Sequence, residues 1–130
     1  MNKNKYLQTV GVIGLGIMGG MMAEALCAAG YKVVGYDPVA AARARLKKAG
    51  GRPLASATAV AAAADIVITS LAKASVLEDV VKHIAAAKRG AKQAPLIVIE
   101  TSTLTMDDKS RAQAALAKVG AKTLDCPISG

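Results

Sequence analysis

The sequence contains no tryptophan and no phenylalanine; three tyrosines are its only aromatic residues among 130. A core of large rings is excluded, so Ala, Val, Leu and Ile must build it. Such small side chains suit helices packed closely against a parallel sheet. The scarcity of rings also disfavours nucleic acid as a partner, because single strands are held on aromatic platforms interleaved with clustered basic residues. The net charge is +8, but the basic residues are scattered over what read as outer helix faces: Arg43, Arg45, Lys47 and Lys48 in one segment, Lys82, Lys88 and Arg89 in another. Two cysteines, Cys27 and Cys126, match no metal or redox spacing and are expected as free thiols in a reducing, cytoplasmic compartment. The single histidine, His83, reads as a surface or edge residue of an ordinary helix. No apolar run reaches the length of a membrane span. Lys3 and Lys5 followed by an apolar run to Leu26-Cys27-Ala28-Ala29 imitate an export signal. Glu24 inside that run, and the use the fold makes of the same strand, argue against export.

What is present is a regular alternation of short apolar runs and amphipathic segments, sized for one domain. Strands are expected at 7–13, 32–36, 52–54, 65–70, 96–100 and 122–124, and helices at 18–29, 39–49, 56–63, after the loop 71–74, and at 105–119. In the first helix Met18, Met22, Ala25, Leu26 and Ala29 recur at a period near 3.6 and are expected to face the core. Gly30, Gly50-Gly51 and Gly120 read as helix terminators. Ser75 with Glu78, and Thr105 with Asp108, have capping-box spacing. Leu77, Val80, Val81 and Ile84 form one buried stripe; Ala112, Ala115, Leu116 and Val119 form another. Glu78 and Lys82 pair on the outside at i, i+4. The pattern implies an α/β, Rossmann-type doubly wound parallel sheet, and analogy with the nucleotide-binding fold gives the expected strand order 3-2-1-4-5-6.

The informative stretch is Val10 to Gly20, in which Gly14, Gly16 and Gly19 have the spacing G-x-G-x-x-G between a strand and a helix. Gly14 allows the tight turn, Gly16 lets a pyrophosphate approach the backbone, and Gly19 lets helix and strand pack closely. The free N–H groups of the helix start favour phosphate. Asp37 follows Gly14 by 23 residues, close to the offset at which a carboxylate accepts hydrogen bonds from the adenosine ribose. That carboxylate would repel a 2′-phosphate, which argues for NAD over NADP. Asp37 before Pro38 also suits the N-cap of the second helix, and the two readings are compatible.

Four stretches together resemble the N-terminal domain of the β-hydroxyacid dehydrogenases, the group that includes 3-hydroxyisobutyrate dehydrogenase, tartronate semialdehyde reductase and 6-phosphogluconate dehydrogenase. They are Gly14-Leu15-Gly16-Ile17-Met18-Gly19, Ala64-Asp65-Ile66-Val67-Ile68-Thr69-Ser70-Leu71, Glu100-Thr101-Ser102-Thr103, and Asp125-Cys126-Pro127-Ile128-Ser129-Gly130. The last is similar to a substrate signature usually written D-A-P-V-S-G-G. The resemblance implies that Gly14, Leu15, Gly16, Ile17, Met18 and Gly19 hold the pyrophosphate, and that Tyr36 and Asp37 stand at the ribose. Ser70 and Leu71 would cover the cofactor, Thr103 would contact it near its reactive end, and Ser129 and Gly130 would bind substrate. Three departures stand out: Leu71-Ala72 replaces the usual Leu-Pro, Cys126 replaces Ala, and Tyr36-Asp37-Pro38 replaces the Asn-Arg-Thr usual in 6-phosphogluconate dehydrogenases.

In that family a lysine beyond the substrate signature acts as general acid/base, and a helical C-terminal domain completes the pocket and the homo-oligomer. No lysine here matches, and Lys73 and Lys109 stand in loop and helix-start contexts. No catalytic residue is therefore assigned within the chain. It is expected to bind NAD and, by itself, not to turn over a small hydroxyacid substrate. The alternative is a non-catalytic dinucleotide-binding or basic interaction module of the same fold. A methyltransferase, whose loop is also glycine-rich, finds no support in the other three stretches.

Overall fold

The computed structural model describes residues 8–128. Strands and helices alternate: β1 (Thr9–Ile13), α1 (Ile17–Ala28), β2 (Lys32–Tyr36), α2 (Ala40–Lys48), β3 (Arg52–Pro53), α3 (Ala57–Ala63), β4 (Ile66–Thr69), α4 (Ala74–Ala85), β5 (Ile97–Glu100), α5 (Met106–Ala117) and β6 (Lys122–Asp125). All five strand pairings are parallel. The strands lie in the order β3-β2-β1-β4-β5-β6, the expected doubly wound sheet. Register aligns Ile13 with Tyr36 and Thr69, Thr69 with Glu100, and Glu100 with Asp125. One edge of the sheet thus gathers the carboxyl ends of five strands, the edge at which open α/β sheets bind ligands. Among the described residues no helix is long and apolar enough to cross a membrane.

Two apolar layers enclose the sheet. Val60, Val67, Leu77, Val81, Val98 and Leu116 anchor the layer beneath α3, α4 and α5. Val12, Leu15, Ala23, Val33, Ala42 and Leu46 form the layer beneath α1 and α2. The want of large side chains is matched by close approach. A Cβ on Gly11 would stand 2.5 Å from Val60 Cγ1, and one on Gly35 2.8 Å from Leu46 Cδ2.

Several boundaries and faces differ from expectation. In α1 the buried residues are Gly19 and Ala23, with Met22 and Leu26 half-buried and Met18, Ala25 and Ala29 exposed. The line of closest contact runs through the smallest side chains, which turns the helix away from its methionine face. Helix α4 begins at Ala74 with Lys73 in the N-cap position and no side-chain cap. Ser75 therefore lies in the first turn and caps nothing. Thr105 does cap α5: its Oγ1 accepts the Asp108 N–H at 3.2 Å, while its own hydroxyl donates to the Asp108 carboxylate at 2.7 Å. Helix α5 ends at Ala117, and Val119 in the Gly120 turn is exposed rather than buried. Gly120 has φ +82°, a backbone that reverses the chain into β6 and leaves Val119 outside. His83 is exposed as expected, its Nδ1 2.8 Å from the Asp79 carbonyl.

Candidate cofactor site

The turn from β1 into α1 is built by contacts that admit no side chain. Gly14 has φ +92°, and a Cβ on it would overlap the carbonyl oxygen of Ser70. Its N–H donates to the Tyr36 carbonyl at 3.0 Å, tying the turn to the end of β2. A Cβ on Gly19 would overlap the carbonyl oxygen of Gly14 and lie 3.3 Å from Ser70 Cβ. Both glycines are thus required by the protein's own atoms, in the roles the spacing implies.

Gly16 differs. It is exposed, its φ is −70°, and a Cβ there would meet nothing within 4 Å. It is the N-cap residue of α1, and no side chain caps that helix. Ile17 and Met18, the next two residues, are 84% and 37% exposed. The helix start is therefore an open, glycine-floored surface with uncapped N–H groups, suited to an anion that approaches the backbone closely. The Leu15 side chain is buried in the α1/α2 layer.

Asp37 is committed to this turn. One carboxylate oxygen accepts the Leu15 N–H at 2.8 Å, and the other accepts the Val39 N–H at 2.8 Å. The N-cap residue of α2 is Val39, so Asp37 forms a local turn ahead of the helix rather than its cap. Each oxygen retains a second acceptor position for a ligand hydroxyl. Arg43 donates to the carbonyls of Asp37 and Pro38 at 2.8 and 3.0 Å and braces the same corner. The Tyr36 ring packs against the α3/α4/α5 layer, so only its carbonyl reaches the glycine turn.

Opposite the turn, the Ser70 N–H donates to the Ile13 carbonyl at 3.0 Å, and the half-buried Leu71 lies against Gly14. The Leu71 N–H donates to Ser102 Oγ at 2.8 Å. Thr103 is exposed, and its hydroxyl donates to the Ile128 carbonyl at 3.3 Å. The chain after β6 runs on beside the Glu100–Thr103 segment, with Cys126 N–H bonded to the Glu100 carbonyl at 2.8 Å and Ile128 N–H to the Thr101 carbonyl at 3.0 Å. The structure thus assembles Gly14, Gly19, Ser70 and Leu71, and joins the segment of Thr103 to that of Ile128. Ser129 and Gly130 lie outside the described residues.

Sequence reasoning missed a buried ionic group behind this edge. Glu100 and Lys109 are 2% and 9% exposed. Lys109 Nζ stands 2.6 Å from Asp125 Oδ1 and 3.5 Å from Glu100 Oε1. The signal was available: Lys109, Ala112 and Leu116 share the buried face of α5 at i, i+3, i+7. A lysine in that stripe needs a buried counter-charge.

Comparison with known proteins agrees with the geometry. A family model described as the NAD binding domain of 6-phosphogluconate dehydrogenase matches residues 9–130. The probable 3-hydroxyisobutyrate dehydrogenase of Mycobacterium tuberculosis is 33% identical over 124 residues, covering 95% of this chain and 41% of the relative. The L-threonate dehydrogenase of Cupriavidus necator is 33% identical over 123 residues, again 95% and 41%. The solved structure of Mycobacterium tuberculosis 3-hydroxyisobutyrate dehydrogenase with L-serine superposes with a TM-score of 0.87 at 33% identity, covering 95% of this chain and 41% of that one. The chain spans about two fifths of the length of the curated relatives it matches. A parallel sheet of order 3-2-1-4-5-6, a glycine turn open only at Gly16 and a family match over almost the whole chain lead to one assignment: the chain belongs to the NAD-binding domain family of 6-phosphogluconate dehydrogenase, the N-terminal cofactor domain of the β-hydroxyacid dehydrogenases.

Proposed function

We propose that this chain is the cofactor-holding part of an oxidoreductase that moves hydride between NAD and a small 3-hydroxy acid. The observation that carries the reading is the contrast among three glycines. Gly14 and Gly19 are closed in by the protein, whereas Gly16 faces open space at an uncapped helix start. In this reading the pyrophosphate sits over Gly16 and accepts from the first N–H groups of α1. Ile17 and Met18 flank it. Asp37 accepts from the ribose hydroxyls with the acceptor positions its backbone bonds leave free, and its charge disfavours a 2′-phosphate. Leu71 covers the dinucleotide from the β4 side, and Thr103 meets it near the nicotinamide.

The nicotinamide supplies the hydride chemistry. The chain's own residues position the cofactor and shield one side of it. The general acid/base and the rest of the hydroxyacid pocket, with Ser129 and Gly130 at its near side, belong in this reading to a lysine-bearing helical domain through which the working enzyme assembles as a homo-oligomer. We assign that enzyme to the cytoplasm, in keeping with two free cysteines.

Titration with NADH and NADPH, read by cofactor fluorescence, tests the reading. NADH is expected to bind at least about 10-fold tighter than NADPH. The Asp37→Ala chain is expected to bind NADH more weakly and to lose most of that preference. Tighter binding of NADPH by the unaltered chain would remove the ribose assignment. Salt-sensitive DNA binding without NADH binding would favour a basic interaction module.

A further inference from the structure

Thr69, Glu100 and Asp125 stand side by side in register at the carboxyl ends of β4, β5 and β6. Each polar side chain in this row has a definite partner. The Thr69 hydroxyl donates to Glu100 Oε2. Glu100 Oε1 accepts the Ser102 N–H at 2.6 Å and lies 3.5 Å from Lys109 Nζ. Lys109 Nζ donates to Asp125 Oδ1 at 2.6 Å. Ser102, itself buried, accepts the Leu71 N–H on Oγ at 2.8 Å. A row of polar contacts therefore runs from Asp125 and Lys109, across an ion pair to Glu100, and on by hydrogen bonds through the backbone and hydroxyl of Ser102 to the amide of Leu71.

This arrangement is costly unless complete. Glu100 is a carboxylate with almost no contact with water, and Lys109 is its nearest cation. A fully connected buried network holds its members in one geometry. Its far end is the loop that packs on the glycine turn at Gly14.

We propose that Lys109 is a positioning residue of the cofactor site, acting through Glu100 and Ser102 on the amide of Leu71. Lys109 touches neither the glycine turn nor Leu71. Its charge fixes the Glu100 carboxylate, which orients the backbone of Ser102. The Ser102 hydroxyl then holds the Leu71 loop at the distance a bound dinucleotide needs. Asp125 takes the other side of the same ammonium, so the segment continuing to Ile128 is set by the same group. The inference rests on the reading that this crevice binds NAD.

The test compares Lys109→Met, Lys109→Arg and Ser102→Ala in the full chain, by amide hydrogen exchange and NADH titration. Ser102→Ala removes only the last link and sets the scale for a freed loop. Lys109→Met is expected to speed exchange at the Leu71 amide by at least about 10-fold, as Ser102→Ala does, while Val98 in the middle of β5 keeps its protection. It is expected to raise the NADH dissociation constant by about 10-fold, with Lys109→Arg restoring most of both values. If Lys109→Met does not fold, Glu100→Gln serves: it keeps the shape, weakens the hold on Ser102 and is expected to speed Leu71 exchange about 3-fold or more. Leu71 exchange unchanged in the Lys109 and Glu100 variants but faster in Ser102→Ala would overturn the proposal. So would faster exchange with unchanged NADH affinity. Failure of the unaltered chain to bind NADH would instead remove the functional reading, and the positioning role in that site with it, while Leu71 exchange would still report whether the row of polar contacts acts as described.

Discussion

Gly16 and Gly19 answer to different neighbours, and substitution separates them. Alanine at Gly19 must push its Cβ into the Gly14 carbonyl. The helix-propensity gain of about 0.5–1 kcal/mol that alanine normally brings cannot offset that overlap. Gly19→Ala is expected to lower stability by at least about 2 kcal/mol, measured by urea unfolding. A Cβ at Gly16 meets nothing within 4 Å, and Gly16→Val is expected to change stability by less than about 1 kcal/mol. It is expected to raise the NADH dissociation constant at least about 10-fold, because the branched side chain occupies the phosphate's approach. Equal unfolding midpoints for the two variants would contradict this division.

The two cysteines also separate at this scale. Cys27 is half-buried against the α1/α2 layer, whereas Cys126 is exposed. Burial, with a smaller push from the Glu24 carboxylate, raises the Cys27 thiol pKa. A raised thiol pKa means less reactive thiolate at any pH below it. Cys126 is expected to be alkylated several-fold faster than Cys27 near pH 8, as peptide mass spectrometry of the native chain would read out. The linkage has the matching sign. The unfolded chain ionises Cys27 at lower pH than the folded one, so this contribution to stability is intact below the unfolded pKa and is lost as pH rises through the folded one.

At the level of the element, caps provide the sharpest comparison. Thr105 and Ser56 both accept an N–H of the first turn, from Asp108 and Ala59. Ser75 does not, because α4 starts one residue before it, with Lys73 as the N-cap residue. Thr105→Ala and Ser56→Ala are each expected to cost about 1 kcal/mol, and Ser75→Ala less than about 0.5 kcal/mol, by denaturant titration. The same comparison shows what is legible in a short pattern. Ser75-Val76-Leu77-Glu78 has capping-box spacing, but the chain leaves β4 early enough for Ala74 to enter the helix. The inner strands β1, β4 and β5 were readable because buried parallel strands are short apolar runs, whereas the edge strands β3 and β6 are short and largely polar. The inward face of α1 was misread because periodicity favours large apolar residues, while contact with the Gly14 carbonyl selects Gly19, and Ala23 packs into the α1/α2 layer.

At the scale of the molecule, the sheet edge separates two tasks. The β1, β2 and β4 ends frame the crevice, and the β5 and β6 ends, held by Lys109, carry Thr103 and the chain on to Ile128. The chain as it stands is expected to bind NADH and to show no steady turnover of 3-hydroxyisobutyrate with NAD, measured at 340 nm. Sustained NADH formation by these 130 residues would contradict the division of labour proposed for cofactor and acid/base.

The alternation of strands and helices and the glycine turn were legible in the sequence alone, whereas the strand order came by analogy with the nucleotide-binding fold and the family by resemblance. The alternation and the turn depend on local spacing: short apolar runs between amphipathic segments, and three glycines at G-x-G-x-x-G between a strand and a helix. Tertiary structure decided what depends on neighbours remote in the chain. Only there do the separate roles that the spacing gives Gly14, Gly16 and Gly19 become contacts, because they lie in what surrounds each Cβ position. Only there does Asp37 prove to hold the Leu15 N–H across the turn. The bond between Lys109 and Asp125 joins residues of separate elements, and a buried charge declares its partner only when the chain has closed around it.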